Sequence, residues 1–194
     1  MYGLNRRSFI ASMTGLLASA TLLTLIGIGR GKKIRPPGVL EEDEFVSSCI
    51  RCGKCVDVCP TGGIKLDYSD LYDLGTPVLE GYCAVYTQLV EPSQEKNVRF
   101  KRSRENAELC LRCVDACPTG ALKRLPLKKI KISIPKNDEE KCTKCYVCVA
   151  ICPFDAVSVG KDGWPSFDLE KCIGCKQCAV LCPPRSITHE PYGR

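Results

Sequence analysis

The chain has 194 residues, sixteen of them cysteine, and 28 Lys and Arg against 22 Asp and Glu give it a formal charge of +6. About 8% cysteine is near the level at which the count alone implies a disulfide scaffold or a metal protein. The positive charge is no nucleic-acid signal, because it counts every cysteine as a neutral thiol.

The first thirty residues hold a short charged start with Arg6 and Arg7, then a mostly apolar run from Phe9 to Ile28. Asn5-Arg6-Arg7-Ser8-Phe9-Ile10 has the form of a twin-arginine export signal, and Ser12, Thr14, Gly15, Ser19, Thr21 and Thr24 keep the run only moderately apolar. Twenty residues at about 1.5 Å each span the roughly 30 Å hydrocarbon core, so residues 9–28 also fit a membrane anchor. Ala18-Ser19-Ala20 has the small-x-small form of a cleavage site but lies inside the apolar run. The expectation is an uncleaved signal that doubles as anchor, with cleavage as the other outcome. Arg30, Lys32, Lys33 and Arg35 outnumber Arg6 and Arg7, and the positive-inside tendency alone would keep the rest cytoplasmic. The complete twin-arginine pattern favours export, to the periplasm or the outer face of the cytoplasmic membrane. Residues 31–40, with Pro36-Pro37-Gly38, read as a short polar linker through which no helix continues.

The cysteines then fall into groups. Cys49, Cys52, Cys55 and Cys59 follow C-x2-C-x2-C-x3-C-P, as do Cys142, Cys145, Cys148 and Cys152, and Cys172, Cys175, Cys178 and Cys182. Bacterial ferredoxins hold [4Fe–4S] clusters with this run. A disulfide scaffold has no reason to repeat it three times. Zinc sites typically use two C-x2-C pairs across a longer spacer and need neither the third cysteine nor the proline. Four oxidised clusters with their thiolates, each about −2, would bring the formal +6 to about −2, so the loaded protein is not basic.

In two-cluster ferredoxins the fourth cysteine of a run crosses to the other cluster. The expected sets are therefore Cys49, Cys52, Cys55 and Cys117 for cluster 1, and Cys142, Cys145, Cys148 and Cys182 for cluster 3. Cys172, Cys175, Cys178 and Cys152 make cluster 4. The second group, Cys110, Cys113 and Cys117, lacks its first member, since Ala107 stands where a cysteine would be. Cluster 2 thus has Cys110, Cys113 and Cys59 and one vacancy, and the one cysteine without a group is Cys83. Closing the 26-residue loop between Cys83 and Cys110 adds about 2 kcal/mol of entropy cost, which metal-ligand formation on the order of 10 kcal/mol absorbs. The alternative is a three-thiolate site, with Glu105, Asn106 or Glu108 standing in, and a labile iron suited to catalysis or redox sensing.

Counted from first-ligand positions 49, 107, 142 and 172, the repeats lie 58, 35 and 30 residues apart. Each consists of a turn with small or polar residues such as Gly53, Thr143 or Gly174, a helical turn to the fourth cysteine, and a breaking proline. A short apolar segment follows, at 64–66, 121–122, 156–159 and 186–187. Residues 157–159 and 164–167 read as two strands around Lys161-Asp162-Gly163. Residues 129–134, KIKISI, alternate as an edge strand does. The fold class is α+β: two ferredoxin-like modules of two clusters each, 41–127 (with an insertion at 84–106) and 128–194, made of short helices and small β-hairpins. An N-terminal signal or anchor helix precedes them. Neither module has a large apolar core, so metal supplies much of the folding energy.

The single histidine, His189, reads as a surface or packing residue, because no cluster needs it as a ligand. Lys96, Arg99, Lys101, Arg102 and Arg104 form a basic run in the insertion, either a solvated loop or a docking face for an acidic electron partner. Tyr82, Tyr86, Tyr146, Phe154 and Trp164 read as cluster-shielding and core residues. No phosphate loop, nucleophile–base–acid set or flavin fingerprint is present, so no residue is expected to be catalytic. The chain reads as an electron carrier, not an enzyme.

NRRSFI, RPPGVLEEDEFVSSCIRCGKCVDVCP, GTPVLEGYC and CPTGAL together resemble the NapG/MauM-type ferredoxins, exported proteins with four [4Fe–4S] clusters. The resemblance implies relay of electrons from a membrane quinol-oxidising partner to a periplasmic reductase or cytochrome. The second group departs from the family pattern: Tyr86 follows Cys83 where a nearby second cysteine usually stands, and the basic insertion intervenes.

Overall fold

The computed structural model describes residues 5–25, 31–86 and 107–193. The basic run, Glu105 and Asn106 lie outside the described residues.

Helix α1 (Arg6–Leu25) covers most of the expected anchor. Among the described residues, however, no helix is long and apolar enough to cross a membrane. The hydroxyls and Gly15 that punctuate it are the physical reason, and the Thr14 hydroxyl folds back to donate to the carbonyls of Ile10 and Ala11 at 3.0 Å each. Residues 26–28 of the expected span lie outside the described residues.

The rest is α+β, with elements of two to seven residues: α2 (Glu42–Ser48), α3 (Lys54–Asp57), β1 (Ile64–Asp67), β2 (Thr76–Leu79), β3 (Val85–Tyr86), β4 (Glu108–Leu109), α4 (Arg112–Asp115), β5 (Ser133–Asn137), α5 (Val147–Ile151), β6 (Val157–Val159), β7 (Pro165–Phe167), α6 (Gln177–Val180) and β8 (Ile187–Pro191). They pair as four two-stranded antiparallel ribbons: β1–β2, β3–β4, β5–β8 and β6–β7. A lone ribbon is marginal in water, so these depend on packing around the cysteine loops.

The alternation at 129–134 does not mark a strand over those residues. Leu127–Lys129 form a 3-10 turn and the strand starts at Ser133. Ile130 and Ile132 are buried and the Ile132 N–H donates to the Ile173 carbonyl, while the Lys131 ammonium donates to the carbonyls of Leu169, Glu170 and Cys172. Ile130 and Ile132 do point inward, but the partner of this stretch is the fourth cysteine loop, not a neighbouring strand.

The segment expected as a polar linker is also different. Arg35 is 2% exposed, and Pro36, Pro37, Gly38 and Val39 are buried with it. Arg35 donates through Nε to Glu42 at 2.8 Å, through Nη1 to the Thr76 hydroxyl and the Pro77 carbonyl, and through Nη2 to Glu42 and Asp73. Lys33 joins Asp73 to Asp67. A buried arginine is tolerable only with this degree of pairing. The network ties the segment before α2 to the β1–β2 ribbon. Burial pushes the Arg35 guanidinium down, but Glu42 and Asp73 outweigh it and hold it above its ordinary value.

One apolar core runs from Val39, Phe45 and Val46 through Ile64, Leu79, Leu109, Val114 and Leu122 to Ile130, Ile132 and Ile173. It therefore crosses from one half of the chain to the other. A smaller core around Ala156, Val157 and Ile187 serves the second half, and Phe154 packs against both.

Candidate metal centre

The cysteine loops owe their shape to left-handed backbone. In three runs the residues two and four positions after the first cysteine have positive φ: Arg51 and Gly53, Lys144 and Tyr146, Gly174 and Lys176. Three residues after each fourth cysteine the same occurs four times, at Gly62, Gly120, Asp155 and Arg185. Such residues turn successive N–H groups to one side, making a concavity for negative charge. The amides of Val56, Val149, Gly174 and Gln177 bond the sulfurs of Cys55, Cys148, Cys172 and Cys175.

The second group is built otherwise. Leu111 has φ −114, and Glu108–Leu109 form a strand that pairs with Val85–Tyr86, Val85 facing Leu109 and Tyr86 facing Glu108. The Cys110 N–H donates to the Ala84 carbonyl at 2.9 Å. This ladder closes the insertion at its base and sets Cys83, 7% exposed, among Cys113, Cys59 and Cys110. Ala107, itself buried, is the residue that leads into the ladder.

The structure brings the other sulfurs together in three further groups. Cys49, Cys52, Cys55 and Cys117 line one pocket, and Cys142, Cys145, Cys148 and Cys182 line another. Cys152, Cys172, Cys175 and Cys178 are mutual neighbours. The groups also touch one another: Cys55 lies near Cys113, Cys83 near Cys175, and Cys178 near Cys148. The Cys49 and Cys142 sets have one exposed cysteine each, Cys52 and Cys145, and the other two sets have none.

Burial, reinforced by neighbouring thiols, pushes Cys55 up to about 11 and Cys113 and Cys175 up to about 12. Cys83 and Cys178 are raised for the same reasons. Thiolates so crowded need a cation among them, and loading it must release protons. The fourth cysteines of the first half are the exception. Burial pushes Cys59 up, but the Thr61 hydroxyl and the amides of Ile64, Thr61 and Gly63 bring it below its ordinary value. The Leu122 amide and Thr119 hydroxyl outweigh burial in the same way at Cys117. In the second half the Ala156 N–H donates to Cys152 and the Ser186 hydroxyl meets Cys182 at 3.4 Å.

The donor set fits an iron–sulfur cluster better than its rivals. All sixteen cysteines are free, so none is spent on a disulfide. Among the described residues, no three Cys, His, Asp or Glu groups converge closely enough for a single metal ion. Zinc would require four sulfurs at about 2.3 Å from one point. Four thiols gathered in one set without converging on a single point suit a cubane of four irons and four sulfides.

His189 sits on β8 opposite Pro135, half-buried, with Nδ1 2.8 Å from the Ser133 hydroxyl and Nε2 3.6 Å from the Cys178 sulfur. Burial, with the Lys176 ammonium nearby, pushes its imidazole down to about 4. It packs, as the sequence reading has it, but against a cluster loop. Of the aromatic residues, the Tyr146 hydroxyl donates to the Gly163 carbonyl and the Trp164 ring takes the Lys144 ammonium at 3.8 Å.

The sequence reading did not find the meeting of the two halves. The Cys83 N–H donates to the Cys175 carbonyl at 2.9 Å, and the Lys176 ammonium donates to the carbonyls of Leu79 and Glu80. No local signal marks this contact, because its partners are more than 90 residues apart.

A 4Fe-4S dicluster domain model matches residues 48–121 and again 108–156, and a second model of the same description matches 134–183. The chain is 32% identical over 169 residues to the methylamine utilization ferredoxin-type protein MauM of Methylobacillus flagellatus, covering 80% of this chain and 63% of that one. It is 30% identical to MauM of Methylophilus methylotrophus, over 79% and 68%. To the ferredoxin-type protein NapG of Escherichia coli it is 28% identical, over 76% and 61%. The chain thus spans roughly two thirds of the length of these relatives. Two dicluster domains and sixteen cysteines correspond to four [4Fe–4S] clusters, and the chain belongs to the 4Fe-4S dicluster family as a ferredoxin-type electron-transfer protein related to MauM and NapG.

Proposed function

We propose that the chain carries electrons between a membrane quinol-oxidising protein and a periplasmic reductase or cytochrome, as an accessory of an oxidoreductase system and not as its catalyst. In this reading each cluster has the four ligands assigned above, with Cys83 the fourth ligand of cluster 2. The clusters, when bound, take up and release single electrons. What the polypeptide does is fix their sulfurs, exclude water and order the sets.

The observation that carries the reading is that order. The thiol sets follow one another without a branch, from the set with exposed Cys52, through two sets with no exposed member, to the set with exposed Cys145. A relay needs accessible ends and a shielded middle, whereas a catalytic site would need an open iron. The crowding of Cys59, Cys110 and Cys113 around Cys83 favours four thiolates over three at the second set.

Export by the twin-arginine route agrees with the rest. A protein that takes its clusters in the reducing cytoplasm must cross the membrane folded. Residues 9–28 then serve as a moderately apolar signal, consistent with the composition of α1.

Anaerobic purification, followed by mixing with quinol-loaded membranes and EPR of the reduced clusters, tests the function. Quinol-dependent reduction supports it, and reduction by dithionite alone would remove the quinol side. For export, replacing Arg6 and Arg7 by lysines should leave the protein in the cytoplasm, and an unchanged location would refute that route.

A further inference from the structure

The two ribbons of the second half are built to one plan. Asp138 and Asp168 each stand four residues before the first cysteine of a run. Their carboxylates accept from the N–H of Glu140 and Glu170, and their carbonyls from the N–H of Cys142 and Cys172. Their own N–H groups donate to the carbonyls of Ser186 and Ala156, each of which follows the last cysteine of the other run by four residues. The residue before each aspartate therefore holds the same place in its ribbon: Asn137 faces Ile187, and Phe167 faces Val157.

At two matched places the ribbons differ in polarity. Ser186 stands where the other ribbon has Ala156, both 1% exposed, and its hydroxyl is 3.4 Å from the Cys182 sulfur. A thiolate held by iron accepts hydrogen bonds and cannot donate them, so the hydroxyl donates. Asn137 stands where the other ribbon has Phe167, whose ring packs against the apolar core of this half. The side-chain nitrogen and oxygen of Asn137 are both buried and meet no hydrogen-bond partner among the described residues. Residues directly opposite on an antiparallel pair project from one face, with Cβ atoms about 5 Å apart. Ile187, opposite Asn137, packs with Cys148 and Cys182 and lines the void of the cluster 3 sulfurs. The carboxamide thus shares a face with that set, in an apolar surround where sulfur is the acceptor at hand. A buried amide left without any partner carries its whole desolvation cost, which a sulfur acceptor on the bound cluster would offset.

We propose that Asn137 and Ser186 raise the reduction potential of cluster 3 by donating side-chain hydrogen bonds to its sulfurs, and so draw electrons in the second half toward the set with exposed Cys145. The inference rests on the cluster assignments and the order of sets given above. A donor at the sulfur stabilises the state with more negative charge, which is the reduced one. Both ribbons also offer backbone donors, and the Ala156 N–H serves Cys152 at 3.3 Å. What the matched positions add is confined to cluster 3.

The test is an EPR-monitored redox titration of the whole chain, purified anaerobically. Cys145→Ser first identifies which signal belongs to cluster 3. Ser186→Ala and Asn137→Leu should each lower the midpoint of that signal, and the two together should lower it further, with iron content unchanged and the other three midpoints in place. A packing role would let water reach the cluster, supply new donors and move the midpoint up. An upward shift, no shift, or a shift shared by all four clusters overturns the proposal. Should Asn137→Leu fail to assemble, Ser186→Ala decides alone, because it removes one oxygen and copies the residue that the matched place already carries. If Cys145→Ser leaves all four signals intact, the cluster 3 assignment fails and this inference with it. Reduction of the unaltered chain by quinol-loaded membranes is scored separately: its absence removes the relay partner and leaves the midpoint shifts to stand or fall by themselves.

Discussion

The two halves of the chain hold the same kind of centre by different means. The second half uses two unbroken cysteine runs 30 residues apart, and it accepts left-handed backbone at Lys144, Tyr146, Asp155, Lys176 and Arg185, none of them glycine. The first half has one unbroken run, with glycine at Gly53, Gly62 and Gly120 and Arg51 as its one non-glycine residue of this kind among the described residues. At its other site Cys83, from outside the group, lies among Cys59, Cys110 and Cys113, next to the β3–β4 ladder. A buried ion network around Arg35 braces that half from the side, and the second half has no counterpart among the described residues. Local backbone strain thus does in one half what longer-range pairing does in the other. On the proposed assignment of Cys83, a cluster ligand is moved in sequence while another element restores its place in space.

The largest effect should come from the second half, where the loops cannot be relaxed. Gly174→Ala adds a Cβ within 2.1 Å of the Ser133 carbonyl oxygen at a positive φ, so both contact and conformation are lost. Soluble protein should be scarce, and what there is should lack clusters 3 and 4 by iron analysis. The equivalent position in the second group, Leu109, carries a side chain on a strand already.

In the first half, Arg35→Met takes the central cation from the buried network and leaves Glu42 without that partner and Asp73, 4% exposed, with Lys33 alone. Removing one member of a buried pair costs about 3–5 kcal/mol, which denaturant unfolding of the loaded protein should register. Arg35→Met with Asp73→Asn should recover part of the loss. Equal stability of the single variant and the unaltered chain would show that the brace contributes nothing.

A smaller and opposite effect is expected from the insertion. Because Tyr86 pairs directly with Glu108, residues 87–107 can be replaced by Asn-Gly, a two-residue turn suited to antiparallel strands. Iron content should be unchanged, and stability should rise by up to about 2 kcal/mol from the shorter loop. Loss of a cluster in this variant would mean that the insertion, and not the ladder, positions Cys83. The smallest effect is that of Arg185→Gly, which relieves an exposed left-handed residue. A gain of about 1 kcal/mol in thermal unfolding is expected, with all four clusters retained.

Much of this was legible in the sequence, for physical reasons that differ by residue. The C-x2-C-x2-C turns, the short helices after them and the 157–167 hairpin are local features, written in cysteine spacing, proline and a glycine turn. The displaced cysteine followed from counting, since one spare thiol matched one vacancy. Arg35 escaped notice because its partners Asp73 and Thr76 are about 40 residues away, and a polar segment with two prolines looks like a linker until those partners are in view. The alternation at 129–134 marked the burial of Ile130 and Ile132 but neither the strand bounds nor Ser133, which is buried where a wet face was expected, because period two does not report the hydrogen-bond partner. His189 was read as a surface or packing residue, but the β5–β8 register that sets it beside the loop of Cys178 has no local signal in the sequence.

The claim on which the rest depends is that Cys83 takes the place left empty at Ala107. The most direct test is iron and sulfide analysis with EPR on anaerobically purified Cys83→Ala. The account predicts that one of the four cluster signals is lost or converted to that of a three-iron cluster, with iron falling by between one atom and a full cluster, while the signals of the second half remain. Full iron with four unaltered signals would contradict it.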